Sequence, residues 1–147
     1  MTTSLLTAPT LQWAYTAVVE IGERRELGWS PLGQRFMIDI VGGRFEGPGL
    51  QGRVLPGGAD RQLLRADGVK ELDALYEMQA DDGAVITVRN RVLIDDAAPG
   101  GRYLRSVVRL TAPDGPHAWL NRRVFVGTLT PLPPERKAVE IAVYLVV

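Results

Sequence analysis

Apolar and polar residues alternate with a period of two along most of this chain, the mark of β-strands that bury one face. Leu11, Trp13, Tyr15, Ala17, Val19 and Ile21 occupy every second position and predict a first strand carrying Trp13 and Tyr15 on the same face. A polar, glycine-containing turn region spans residues 22–33, and residues 36–41 predict a second strand. Between residues 42 and 60, glycines and prolines interrupt strand-like residues, which predicts sharply bent strands rather than helix. Further strands are predicted over residues 61–65, 69–80, 84–94, 102–111, 119–128 and 137–147. Loops rich in Pro, Gly and Asp separate them, and residues 131–134 read as a rigid turn before the last strand. No segment sustains an apolar stripe at helical spacing.

Roughly nine or ten strands at about twelve-residue spacing point to an all-β fold, an antiparallel barrel or sandwich. Residues 85–92 and 139–147 are apolar on both faces. A barrel accounts for this, one side facing its interior and the other packing against a second subunit. The expectation is a single antiparallel β-barrel over residues 10–147, preceded by a flexible leader over residues 1–9 and assembled as a homodimer.

Turn chemistry sets which residues face each other. Asp67-Gly68 predicts a two-residue type I′ turn, because both residues tolerate the positive φ it needs. Ala66 would then pair with Val69, Leu64 with Glu71 and Gln62 with Asp73, leaving Asp60 diagonal to Asp73 on one face. The next turn, Asp81-Asp82-Gly83, admits two lengths. A three-residue loop with a bulge puts Leu72, Ala74, Tyr76 and Met78 on an apolar face with Ile86, Val88, Asn90 and Val92, and points Asp73 outward. A two-residue turn joins Asp73 to Asn90 and Val92 instead, and the sequence leaves both open.

Composition narrows the partners. Lysine and arginine together balance aspartate and glutamate at 17 each, so no global field favours nucleic acid or an anionic membrane. Only Lys70 and Lys137 are lysines, an arginine excess that suits oxyanion recognition or simply reflects genomic base composition. With no cysteine there are no disulfides, thiolate metal sites or cysteine nucleophiles. The first ten residues have no signal-peptide pattern and no run approaches the roughly 20 apolar residues of a membrane helix, so a cytoplasmic location is expected.

Several motifs are weaker than they look. Gly47-Pro48-Gly49-Leu50-Gln51-Gly52 matches the dinucleotide pattern G-x-G-x-x-G, but a proline sits inside it and β-type sequence follows where a helix is needed. His117, the only histidine, lies in a Pro/Gly loop and reads as solvated. No zinc-hydrolase or serine-triad spacing exists, so no cofactor and no metal is expected. Carboxylates offer more. Asp60 and Asp73 on one barrel face could divide into acid and base, because like charges push their pKa values apart. The bland alternatives are a solvated face, or Asp60 capping a turn. Tyr76 would serve as acid or oxyanion donor, with Asn90, Asn121 and Arg105 as polarising groups. Trp13, Tyr15 and Trp119 supply aromatic surface to a ligand, or equally to an ordinary core or dimer face.

These residues also resemble a known family, the uncharacterised protein family three-hundred-eleven, also called domain of unknown function three-two-three-seven. The resemblance is carried by Gly42-Gly43-x-Phe45-x-Gly47-Pro48-x-Leu50-x-Gly52 and Leu55-Pro56-Gly57-Gly58-Ala59-Asp60. Asp67-Gly68-Val69, Leu72-Asp73-Ala74-x-Tyr76, Asp82-Gly83-Ala84-x-Ile86 and Trp119-Leu120-Asn121-Arg122-x-x-Phe125-Val126-Gly127 add to it. Arg61 stands where the family often has an aromatic, and the loop over residues 95–101 is short, both of which alter a pocket. The resemblance implies a lipocalin-like antiparallel β-barrel and little about reaction. The functional expectation is a barrel that binds a small aromatic or polyketide-like molecule and acts as a cofactor-free isomerase, cyclase or lyase. A non-catalytic carrier or sensor, or a structural dimeric barrel, is the alternative.

Overall fold

The computed structural model describes residues 5–147; of the leader read over residues 1–9, residues 1–4 lie outside the described residues. Strands β1 (Leu11–Ser30), β2 (Gly33–Gly47), β3 (Leu50–Val54), β4 (Gly58–Leu64) and β5 (Lys70–Ala80) precede β6 (Val85–Asp95), β7 (Tyr103–Thr111), β8 (Phe125–Pro131) and β9 (Ala138–Val146). All pairings among them are antiparallel. The order is β1-β9-β8-β7-β6-β5-β3-β2-β4, with β1 also bonded to β2 and β5 to β4, so the sheet closes on itself as a barrel. Strands β3 and β4 lie end to end in one slot between β2 and β5. The break between them falls at Pro56, which has no N–H to give a ladder. Closure leaves no long unpaired edge. Among the described residues, no helix is long and apolar enough to cross a membrane.

Four local readings differ from the pattern, each for a backbone reason. Residues 22–30 are strand, not turn: β1 runs on to Ser30 and reverses only at Pro31-Leu32, where Ser30 pairs with Gly33. Bulges between Ile21 and Arg24 and between Glu26 and Gly28 break the alternation there, which hid the strand. Trp13 and Tyr15 do not share a face, because the β1–β9 register shifts between them. Trp13 is 45% exposed on the outside and Tyr15 is 1% exposed in the core. Residues 118–122 form a 3₁₀ turn rather than the start of a strand. The Asn121 amide occupies both Ala112 backbone groups, accepting from its N–H at 2.8 Å and donating to its carbonyl at 2.9 Å, so β8 starts only at Phe125.

The fourth difference matters most. Both Asp-Gly turns are three-residue loops of the same construction. Arg65 N–H bonds Val69 carbonyl around Ala66-Asp67-Gly68, and Ala80 N–H bonds Ala84 carbonyl around Asp81-Asp82-Gly83. In each, only the glycine has positive φ (Gly68 87°, Gly83 95°), and the aspartate side chain accepts the N–H two residues on. A type I′ turn needs two residues with positive φ, and Asp67 has not adopted one. The extra residue shifts the β4–β5 register by one, so Asp60 pairs with Ala74 and Arg61 with Asp73. Asp60 and Asp73 therefore point to opposite sides of the sheet. At the second turn the three-residue alternative holds, pairing Leu72 with Val92, Ala74 with Asn90 and Tyr76 with Val88.

The barrel interior is unevenly filled. Tyr15, Phe45, Leu50, Met78, Ile86, Val88, Phe125 and Val143 are fully buried and pack one end solid. Burial of each such large side chain contributes about 1.5–3 kcal/mol. Toward the other end the apolar lining thins to a separate cluster of Leu72, Val92, Ile94 and Leu104. A cavity occupies that end.

Candidate functional site

Inward-facing residues of adjacent strands stack in cross-strand rows that build the cavity layer by layer. One row reads Asp60 on β4, Ala74 on β5 and Asn90 on β6. Ala74 has only a methyl group, so space opens between the two polar side chains on either side of it. The row above is Gln62, Leu72 and Val92, and the row above that is Leu64, Lys70 and Ile94. One layer below, Tyr76 forms part of the floor. Strand β4 comes close to it because position 58 is glycine: a Cβ there would lie 2.4 Å from the Tyr76 Cβ. The cavity, partly open to solvent, holds about 410 Å³, with mainly aliphatic walls that include Val19, Ile40, Leu104 and Ile141.

The polar groups at the floor are poorly satisfied. Gln62 Nε2 donates to Asp60 Oδ2 at 2.8 Å. Asp60 Oδ1, Gln62 Oε1 and Asn90 Oδ1 are buried with no hydrogen-bond partner among the described residues. Buried polar atoms are nearly always paired, so three such atoms on one cavity are an uncommon concentration. Burial raises the Asp60 pKa above the ordinary aspartate value, partly offset by the Gln62 hydrogen bond and the nearby Lys70. Burial also pushes the Tyr76 hydroxyl well up, and the Asp60 charge adds to it, so Tyr76 stays protonated across the neutral range.

Of the residues singled out in the sequence, the fold brings Asp60, Tyr76 and Asn90 together at the cavity. Asp73 lies on the outer surface, where Arg89 Nη2 donates to it at 2.9 Å and Arg91 stands at 3.9 Å. Those cations hold its carboxyl below the usual range. Tyr15 packs edge-on against Phe45 in the filled end, ring centroids 6.0 Å apart, and does not line the cavity. Trp13 Nε1 donates to Thr16 Oγ1 on the outside. Arg105 reaches along the outer wall to the Leu104 carbonyl, and Trp119 stacks at a tilt on Phe125. Asn121 is the clamp on Ala112 described above. His117 is not solvated: it is 7% exposed, and its Nε2 donates to Asp82 Oδ2 at 2.8 Å, tying its loop to the β5–β6 turn. The G-x-G-x-x-G match is the β2–β3 hairpin, with Gly47 paired to Leu50 across Pro48-Gly49.

Sequence reasoning missed Gln62, Lys70 and the cations at the cavity mouth. A correct β4–β5 register would have found the first two, since they share inward parity with Asp60 and Tyr76. Both lysines of the chain, Lys70 and Lys137, line the cavity, a scarcity that is itself a signal. Among the described residues, no group of three or more His, Asp or Glu side chains forms a metal-ligand cluster.

The model of a protein family described as protein of unknown function (DUF3237) matches residues 9–146. The UPF0311 protein RPA1785 of Rhodopseudomonas palustris is 34% identical over 135 residues, covering 82% of this chain and 88% of that protein. A crystal structure of a β-barrel-like protein from Acinetobacter baumannii superposes with a TM-score of 0.87 at 29% identity, over 97% of this chain and 98% of that one. An enzyme from Penicillium herquei superposes with a TM-score of 0.76 at 26% identity, over 99% of this chain and 100% of that one.

Proposed function

The chain belongs to the DUF3237 family of proteins of unknown function, and from that premise we propose that its barrel is a cofactor-free acid/base enzyme. It would isomerise, cyclise or eliminate a small aromatic or polyketide-like carbonyl compound. One observation carries the reading: Asp60 Oδ1 is buried, without a hydrogen-bond partner among the described residues, on a cavity with mainly aliphatic walls that also holds Tyr76 and Asn90. A desolvated carboxylate with a raised pKa is a stronger base than one in water, and the raised value lies nearer the operating pH, where general acid–base catalysis is most effective.

The chemistry needs no other group. Asp60 Oδ1 takes a proton from the carbon beside a substrate carbonyl. The C–H electron pair moves into the new C=C bond, and the carbonyl π pair moves onto oxygen. The enolate oxygen accepts hydrogen bonds from the Tyr76 hydroxyl and the Asn90 Nδ2–H, two buried donors on the same cavity. Where the substrate carries a β,γ C=C bond the intermediate is a dienolate: the oxygen pair re-forms C=O, the double bond settles between the α and β carbons, and the γ carbon takes the proton back from Asp60, which completes an isomerisation. Where the β carbon carries a leaving group, the enolate oxygen pair re-forms C=O, the enolate C=C pair shifts to make the α,β double bond, and the leaving group departs with its bonding pair and takes the proton from Asp60, which completes an elimination. Gln62 holds the other Asp60 oxygen and so fixes which one faces the substrate. The fold shared with an enzyme from Penicillium herquei supports a catalytic use of the barrel.

The test is deuterium exchange. Aromatic ketones and β-diketones incubated in D₂O are expected to exchange their α-protons faster with the protein than without it. Asp60→Asn should slow that exchange by about 10²–10⁴, the usual contribution of a positioned base. Equal exchange by the variant and the wild type would overturn the reading. Binding of these compounds with no exchange by either protein would make the barrel a carrier.

A further inference from the structure

We infer that the cavity takes an elongated apolar ligand carrying an anionic group, a carboxylate, sulfonate or phosphate, held at the mouth by Lys70 and the arginines around it. The inference rests on the cavity being the ligand site, as proposed above, and specifies the ligand class it accepts.

The chain as a whole is neutral, yet its cations gather at this opening. Arg24, Lys70, Arg102, Arg136 and Lys137 line the cavity, with Glu23 as the acidic residue at the rim. Some of that charge is already used. Lys137 pairs with Glu23, Arg102 pairs with Asp96 at 2.8 Å, and the Arg24 guanidinium lies 4.3 Å over the Phe36 ring. Lys70 and Arg136 enter no ion pair among the described residues. Lys70 is the more telling of the two. It is the first inward residue of β5, paired with Leu64 and Ile94, so its stem lies along aliphatic wall and its ammonium sits inside the mouth rather than in open solvent. Its charged neighbours are Arg24 and Arg102 on one side of the balance and Asp60 and Asp96 on the other, and Asp96 is already paired with Arg102. A half-buried ammonium without an ion pair has lost hydration that an incoming anion restores, and a low-dielectric mouth strengthens the attraction.

The geometry orients the ligand. Lys70 lies four residues along β5 from Ala74, which is about 13 Å of extended chain above the Asp60–Ala74–Asn90 row. An anion held at the mouth therefore places the opposite end of an elongated molecule at the floor, while the aliphatic collar of Leu72, Val92 and Leu104 covers its middle.

A matched pair of fluorescent probes isolates the charge. 8-Anilinonaphthalene-1-sulfonate and N-phenyl-1-naphthylamine share one aromatic skeleton and differ by the sulfonate. The sulfonate is expected to bind about tenfold tighter in low salt, and raising salt from about 50 mM to about 0.5 M should erase most of that preference. Lys70→Met, which keeps the aliphatic stem, should reduce the preference several-fold while lowering neither the neutral probe's affinity nor the melting temperature. Equal affinities for the two probes, or a preference unmoved by Lys70→Met and by salt, would overturn the inference alone. Failure of both probes to bind at one site per chain would remove the cavity reading with it, whereas binding of the neutral probe alone overturns the anion inference only. The comparison reads probe affinity and not proton exchange, so loss of exchange in Asp60→Asn is scored separately.

Discussion

Asp60 illustrates how a single residue sets function against stability. Burial raises its pKa in the folded state above the unfolded value. Below the unfolded value the carboxyl is protonated in both states and costs nothing. As pH rises through the raised folded value, the native state must ionise a buried group, and stability is lost. Asp60→Asn keeps the shape and removes the titration. It is therefore expected to melt higher than wild type at pH 7, with the gain shrinking as pH falls toward the ordinary aspartate pKa. Thermal melts of both proteins at pH 4 and pH 7 check this, and a variant less stable at pH 7 than at pH 4 relative to wild type would contradict it. Asp73 is the counter-case. Solvent and Arg89 already satisfy it on the outer wall, and a surface ion pair of this kind contributes at most about 1 kcal/mol.

At the scale of elements, loop length decided the site. One residue more in the Ala66-Asp67-Gly68 loop than a type I′ turn would have used is enough to send Asp60 inward and Asp73 outward. The bulge between Trp13 and Tyr15 does the same for two aromatics on β1. Neither event has a hydrophobic signature of its own, because a parity change leaves composition untouched. The 3₁₀ turn depends on a more specific device, the Asn121 amide bonded to both Ala112 backbone groups. Asn121→Ala leaves a largely buried N–H and C=O unpaired and is expected to cost about 1–3 kcal/mol. Denaturant unfolding measures that cost, and affinity for the neutral naphthylamine probe should stay within twofold, since Asn121 does not line the cavity.

The whole molecule is a closed ring with one packed end and one open end, and its outer wall is not uniformly polar. Trp13 on β1, Tyr144 on β9, Val126 on β8 and Val107 on β7 form an outward cross-strand row. Val107 is 62% exposed and Trp13 45%. The homodimer expected from the doubly apolar C-terminal strand has this row to rest on. Sedimentation at micromolar concentration is expected to give twice the chain mass, with Val107→Glu returning it toward the monomer. A wild-type monomer would remove the dimer.

The sequence by itself determined the all-β class and the strands from residue 61 to residue 111; it named Asp60, Tyr76 and Asn90 only among other candidates, of which Asp73, Trp13, Tyr15, Arg105, Trp119 and Asn121 lie away from the cavity. Strands declare themselves through alternation, and family-specific glycine and aspartate pairs mark the bends. It also identified Tyr76 and Asn90 as inward neighbours once a three-residue loop was assumed at Asp81-Asp82-Gly83. Only the tertiary structure decided which face each strand buries across Ala66–Gly68, that Gln62 holds Asp60, and that cations from β1, β5 and the segments before β7 and β9 surround one mouth. Those are meetings of residues far apart in the chain. Backbone φ values and bulges fix them, and a one-residue change of register redirects every side chain that follows.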